Sequence, residues 1–441
     1  MYYWAPSSMD ISFMSCALII ALTSIILHCK NSLSEYFDLS HLYLRHSFFF
    51  LICFIITFYQ YDIDYVFGLC SVSDLVWFRK SVVCKSLVVS NLALISCFLG
   101  YQFFKWREYQ TTEVEECSYD LTTITKKYLL LSTLVLLVIY YVFVPKEFLQ
   151  NGYVNHVDDG AVGGLIQYIM AFLIAVFVLY SIDYKRNEYN SWLLNMKYPL
   201  ILVFLYVILV LASGRRTEAL RAASLVLVAY LYAKGKSLNY KKLVLFGLCG
   251  MFVFSIVGKI RTIADGDVFA GAKLISEYSS VSPFTKELAG SVLTLHVAEY
   301  YFPDKLDYTL GSSFFPGFLK LIPGSYHIFD YFVDTTDSGT MLTNLYFSGK
   351  PAYGLGSSIV ADVYIAFGII GVVAIFLMLG AFLRYLEVGT FAVRKSPYFL
   401  ALSFGCFSQF LLACRANISI MFLCLTYSCI IIFIFRKVRW K

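Results

Sequence analysis

Charge is scarce in this chain. Only 15% of its 441 residues are Asp, Glu, Lys or Arg, against 59% hydrophobic. One core could not hide that much apolar surface, so the scarcity excludes a water-soluble globular protein and points to an integral membrane protein. The polar/apolar alternation of a transmembrane β-barrel is missing as well; long apolar runs separated by short charged loops stand in its place. There is no CxxC pair. The twelve cysteines are scattered, many inside apolar runs (Cys16, Cys53, Cys97, Cys249, Cys406, Cys424, Cys429), and read as small buried hydrophobes without a metal or disulfide framework. The basic residues form no stripe, so the net charge of +6 gives no nucleic-acid reading. The first apolar run lacks a basic leader and a small-residue cleavage site, so no cleavable signal peptide is expected. No internal repeat is visible.

What the chain has in abundance is crossing-length apolar sequence. Taking ~20 apolar residues as one crossing, spans are expected near 11–27, 47–60, 86–104, 128–145, 161–182, 198–212, 218–233, 243–257, 358–383, 397–413 and 416–435. The fold class is an all-α polytopic bundle of about eleven transmembrane helices (10–12). Three regions follow: N-terminal helices over 1–257, a large loop with an amphipathic helix over 258–355, and C-terminal helices with a tail over 356–441. One alternate set of loops holds 20 Lys and Arg and the short loops of the other set hold 7. By the positive-inside bias the first set is cytoplasmic. That places the N-terminus and the large loop outside, in the periplasm of a two-membrane bacterium, and the C-terminus inside.

Several basic residues then sit on the disfavoured outer side: Arg215 and Arg216 in "SGRRTEAL", Lys259 and Arg261 in "GKIRT", and Arg415 in "LLACRANIS". A guanidinium presents a planar fork that matches phosphate oxygens, and a helix start adds a positive dipole end, so an anion is the reading for Arg216. Arg215 faces another way on the same turn, where snorkelling to headgroups accounts for it. Lys259 and Arg261 could simply cap the last carbonyls of their span. Arg415 lies in a connection too tight to be a loop, so it should face a wet cavity or a carboxylate. In the large loop "FTKELAGSVLTLHVAEYYF" has helical spacing and predicts an amphipathic helix over the outer face, carrying Glu287, His296 and Glu299. His296 between apolar neighbours reads as a packed histidine. Asp330, Asp334 and Asp337 share one face if "DYFVDTTD" is helical, which fits a divalent cation or a solvated face, with His327 just before them. In "GLGSSIVADVYIAFGIIGV", Ser357 or Ser358 can cap a helix and Asp362 falls one turn into it. The dipole favours an acid there, but a carboxylate at membrane depth needs a partner, and the outer arginines are the expected one.

The order of "SGRRT", "GKIRT", "DYTLGSSFFPGFLKLIPG" and "GLGSSIVADVYIAFGIIGV" over residues 200–420 resembles the O-antigen polymerase (Wzy) family. The resemblance implies a GT-C-like helical bundle in the bacterial inner membrane with a large periplasmic loop. It implies transfer of a growing glycan from undecaprenyl pyrophosphate to the non-reducing end of a new lipid-linked repeat unit. Arg216, Arg261 and Arg415 match basic positions that hold pyrophosphate in the family, and Asp362 stands where relatives often carry glutamate. The related O-antigen ligases have a histidine near the position of Ser357, and this chain does not. The expected catalytic set is therefore Asp362 as the base with Arg216, Arg261 and Arg415 on the pyrophosphate. Glu287, Glu299 and His327 are substitutes for the base, and Arg215, Lys259, Glu287, Tyr364, His327 and Ser358 are substrate contacts. The donor arrives activated, so no cofactor is called for. The partners implied are the undecaprenyl-pyrophosphate-linked oligosaccharide, membrane lipid and a chain-length regulator protein. A ligase with the same arginines is the near rival. A flippase is the distant one, and it predicts repeats and midplane charges.

Overall fold

The computed structural model describes residues 1–35, 45–103, 123–144, 160–187, 191–213, 215–234, 289–319, 337–349, 354–391 and 397–437. Among these no strand occurs. The long helices are α1 (Ile11–Glu35), α2 (His46–Phe58), α3 (Gln60–Val66), α4 (Lys80–Phe103), α5 (Thr123–Phe143), α6 (Gly160–Asn187), α7 (Lys197–Ala212) and α8 (Arg216–Lys234). After them come α9 (Val292–Tyr301), α10 (Ser338–Tyr346), α11 (Ile359–Phe391), α12 (Pro397–Arg415) and α13 (Ile418–Lys437). Ten of the eleven expected spans coincide with a helix; the one near 243–257 lies outside the described residues. Among the described residues five helices are long and apolar enough to cross a membrane, α1, α4, α5, α6 and α11, and a sixth counts if α2 and α3, bent by 57° at Tyr59, form one broken span.

Small residues set how closely α4 and α11 approach. A Cβ on Gly100 would lie 2.0 Å from the Leu377 carbonyl oxygen, and one on Gly380 would lie 1.9 Å from that of Cys97. Two backbones in mutual contact at two levels make this the tightest helix pair described, the packing that small residues permit inside a bilayer. Polar side chains hold the neighbours. Asn91 of α4 donates to the Ala17 carbonyl of α1 (2.9 Å) and accepts from Tyr59 at the α2–α3 bend (2.7 Å).

The 33 residues of α11 are not one continuous helix. Gly368 sits at φ 64°, ψ −155°, which separates a short half-helix, 359–367, from the long remainder. An L-side chain is strained there, so glycine is required. A segment of the large loop fills the break: the Thr309 N–H takes the Ile365 carbonyl (3.0 Å), and the Tyr308 ring lies where a Cβ on Gly368 would be. Gly311, at φ 89°, turns this segment against Phe367. A short helix, Phe315–Leu319, then brings Gly317 against Ser419 at the start of α13.

Helix α9 corrects one expectation. "TLHVAEYY" does form a helix, but every residue from Val292 to Glu299 is buried, so it is no amphipathic cover. It is wedged among α4, α10, α11 and the segment after α3, and each of its faces meets protein. His296 is packed, stacked on Trp77 with ring centres 5.9 Å apart, and burial pulls its imidazole down to about 3.

Candidate functional site at the loop-covered end of the bundle

The half-helix 359–367 opens with a built cap. The Ser358 hydroxyl accepts from the Ala361 N–H (3.3 Å), and Thr294 of α9 joins it from above at 2.8 Å. Thr294 also reaches the Ser291 carbonyl (2.7 Å), so the cap is tied to the start of α9. One turn on, Asp362 is fully buried. Its Oδ2 accepts the backbone N–H of Ile418 (2.9 Å), the first residue of α13, and the Ser338 hydroxyl lies beside it. Asp362 is therefore an acid placed on the positive end of a helix distant in sequence. Among the described residues its partners are the Ile418 N–H and Ser338; Arg261 and the Arg216 side chain, two of the expected arginine partners, lie outside what the structure describes. Asp337, one residue before Ser338, caps α10 through the Thr340 N–H (3.0 Å).

The turn that Asp362 grips carries Arg415. Its Nε donates to the Ser291 hydroxyl (3.0 Å), and its carbonyl oxygen lies 3.8 Å from where Gly356 would carry a Cβ. Ser291 thus links the Arg415 guanidinium to the Thr294–Ser358 cap. The Arg215–Arg216 turn lies at the same end. The Arg215 N–H closes it onto Val210 (2.8 Å), Tyr140 bonds Ser213 beside it (3.0 Å), and Arg216 opens α8. Five residues into α8, Arg221 is fully buried, paired with Glu218 and Gln167, and reaches Cys424 at a comparable depth in α13. Both helices therefore start at one end of the bundle.

A second cluster sits further along α9. Glu299 is 4% exposed; its Oε2 accepts from the Tyr2 hydroxyl (2.9 Å), and its buried Oε1 has no hydrogen bond. The Tyr2 hydroxyl lies 2.9 Å from that of Tyr364, which is 3.3 Å from the Phe302 carbonyl. Burial pushes the Glu299 carboxyl up to about 7, the Tyr2 and Tyr364 hydroxyls and Lys85 opposing the rise.

Of the expected residues, the structure gathers Asp362, Arg415, Ser358 and Tyr364 around the half-helix and puts Arg215 and the start of α8 at the same end. Lys259, Arg261, Glu287, His327, Asp330 and Asp334 lie outside the described residues. Among the described residues no group of His, Cys, Asp and Glu could hold a metal ion. Sequence reasoning missed Ser291, Thr294, Tyr2 and Arg221. Only Arg221 left a signal, the Glu three residues before it on a helix face.

A family model described as O-antigen polysaccharide polymerase Wzy matches residues 2–439 of the chain. No curated protein and no solved structure gives a match.

Proposed function

The chain belongs to the O-antigen polysaccharide polymerase Wzy family, and on that premise we propose that it joins undecaprenyl-pyrophosphate-linked repeat units by glycosyl transfer at its loop-covered, periplasmic end. Membership makes it a multi-pass inner-membrane protein that polymerises O-antigen repeat units. The proposal adds the chemistry. The acceptor hydroxyl oxygen forms the new bond to C1 of the donor sugar and passes its proton to the departing pyrophosphate. The bond from C1 to the pyrophosphate oxygen breaks, and the lipid pyrophosphate leaves with the electron pair. Guanidiniums aimed at the departing oxygens stabilise the charge that develops there. Arg415, Arg216 and Arg261 take that role. Arg215, Lys259, Glu287, His327, Ser358 and Tyr364 are assigned to the surrounding substrate contacts.

One observation carries the reading: Asp362 fastens the Arg415 turn by its Ile418 N–H, while Ser291 holds the Arg415 Nε. A guanidinium held at its Nε, on an inter-helix turn whose backbone is itself fastened, is oriented in advance. Buried and bonded to the Ile418 N–H, Asp362 is proposed for a role other than the base expected from the sequence. It acts as a positioning residue for Arg415, not as the base.

Arg415→Lys keeps the charge and loses the fork. Expressed in a strain lacking the wild-type protein, it should shorten the surface glycan ladder strongly at normal membrane levels; an unchanged ladder removes bidentate phosphate binding from the proposal. Deletion should leave single repeat units on the core. Full-length polymer retained on the lipid carrier would indicate a ligase instead.

A further inference from the structure

The cluster on α9 has a feature that the pyrophosphate chemistry does not use. Glu299 keeps an unbonded, buried carboxyl oxygen while its other oxygen is held by Tyr2, a residue 297 positions away. An isolated buried acceptor is costly, about 1–3 kcal/mol when left unmet, and one beside a cluster of phenols is open to a further donor. The surroundings say which donor. The phenols of Tyr2 and Tyr364 converge beside the carboxyl, and the Tyr308 ring stands edge-on to Tyr364 with centres 6.0 Å apart. Next to them Tyr3 is 90% exposed and Trp4 is 84% exposed. Sugars have apolar C–H faces that lie on aromatic rings and hydroxyl edges that donate to carboxylates and accept from phenols. A group of this composition, mostly aromatic with a few convergent polar atoms, suits that chemistry.

We propose that Glu299, with Tyr2, Tyr308 and Tyr364, forms a carbohydrate subsite that binds the hydroxyls of the acceptor repeat unit, with the exposed rings of Tyr3 and Trp4 as its stacking rim. The inference rests on the glycosyl-transfer reading and extends it to the acceptor side. Its location fits that division. Ser291, which holds Arg415, and Glu299 are eight residues apart across the start and length of α9, about 12 Å along a helix. That is too far for one group to serve the pyrophosphate and the Glu299 hydroxyl contact together. Tyr2 is the removable part: it lies on a short helical turn, Tyr2–Trp4, with none of its residues buried.

The groups facing Glu299 are Tyr2, Tyr308 and Tyr364 as phenols, Lys85 as a cation and Asp304 as an acid. With its carboxyl at about 7, acceptor binding should strengthen as pH rises through 7, where the ionised form becomes the better acceptor of hydroxyl protons.

The test uses the full-length protein in nanodiscs, with polymer on undecaprenyl pyrophosphate as donor and the single lipid-linked repeat unit of the same strain as acceptor. Glu299→Gln keeps the shape and removes the charge; it should raise the acceptor KM about tenfold or more, the range for a hydrogen bond to a charged group, and flatten its pH dependence. The donor KM should stay at the wild-type value, whereas Arg415→Lys should raise the donor KM. An acceptor KM unchanged in Glu299→Gln, or a donor KM that rises equally, overturns the subsite. If Glu299→Gln fails to accumulate in membranes, Tyr2→Phe decides: a raised acceptor KM supports the subsite and wild-type kinetics overturn it. Wild-type donor kinetics in Arg415→Lys would count against the pyrophosphate reading alone, so the two failures are separable.

Discussion

At the scale of single residues, Asp362 shows how position decides the work of a carboxylate. In a helix that otherwise looks like membrane span, it suggests a base with arginine neighbours. Folded, it closes the start of α13, satisfying an N–H that would otherwise be orphaned in a buried place. Asp362→Asn keeps an acceptor for that N–H, so it should retain most polymerisation, while Asp362→Ala should cost about 1–3 kcal/mol and most of the activity. Ladder lengths and melting of both variants in detergent check this; abolished polymer in a stably folded Asp362→Asn would return the residue to the role of base. Glu299 gives a pH prediction. Its folded-state carboxyl is raised above the ordinary value of 4.5, so between about 4.5 and 7 the native protein holds a proton that the unfolded chain releases. Stability contributed by this residue is therefore present below 4.5, declines as pH rises to 7 and is level above it. Glu299→Gln should remove that slope from melting temperatures recorded between pH 5 and 8.

At the scale of elements, the decisive feature is the break in α11. The local sequence "VYIAFGIIGV" is apolar on both sides of Gly368, and an unbroken run of membrane-span character passes straight through it. The interruption comes from the other partner, the Tyr308–Thr309 segment, which takes the Ile365 carbonyl and fills the gap. This frees 359–367 to meet α13, α9 and α10 as a separate short piece and so to carry Ser358, Asp362 and Tyr364 toward three different partners. Gly368→Ala should destabilise by about 1–3 kcal/mol through its positive φ. Adding Tyr308→Ala opens space but leaves the backbone conformation, so the double variant should stay destabilised in thermal melts; full recovery would mean that crowding, and not backbone strain, is the cost. The buried position of α9 has the same kind of cause. Its spacing of apolar residues is that of a surface helix, yet the segments folded around it cover its polar side as well.

At the scale of the whole molecule, polar chemistry is divided between two ends. One end holds Asp362, Arg415, Glu299 and the start of α8. The other holds a buried cluster in which Glu387 accepts from both the N–H (2.7 Å) and the hydroxyl (2.6 Å) of Ser47 and from Tyr101, itself contacted by Arg384 at 3.2 Å. The Lys126–Asp183 pair (2.6 Å) joins the start of α5 to the end of α6. With the excess of Lys and Arg in one alternate set of loops, the first end is proposed to face the periplasm. Tyr3→Cys should then react with a membrane-impermeant maleimide in intact spheroplasts, and Asn31→Cys only after permeabilisation; the reverse pattern would invert the orientation. The amino-acid sequence by itself determined the membrane class and the helix at ten of the eleven expected spans, because a crossing is a local property of about twenty consecutive side chains. Only the tertiary structure decided that Asp362 serves a helix start 56 residues away, that Tyr2 covers Glu299 and that Gly368 splits its helix. Those outcomes depend on which buried polar group finds which partner, and pairing across the bundle leaves no periodicity in the chain.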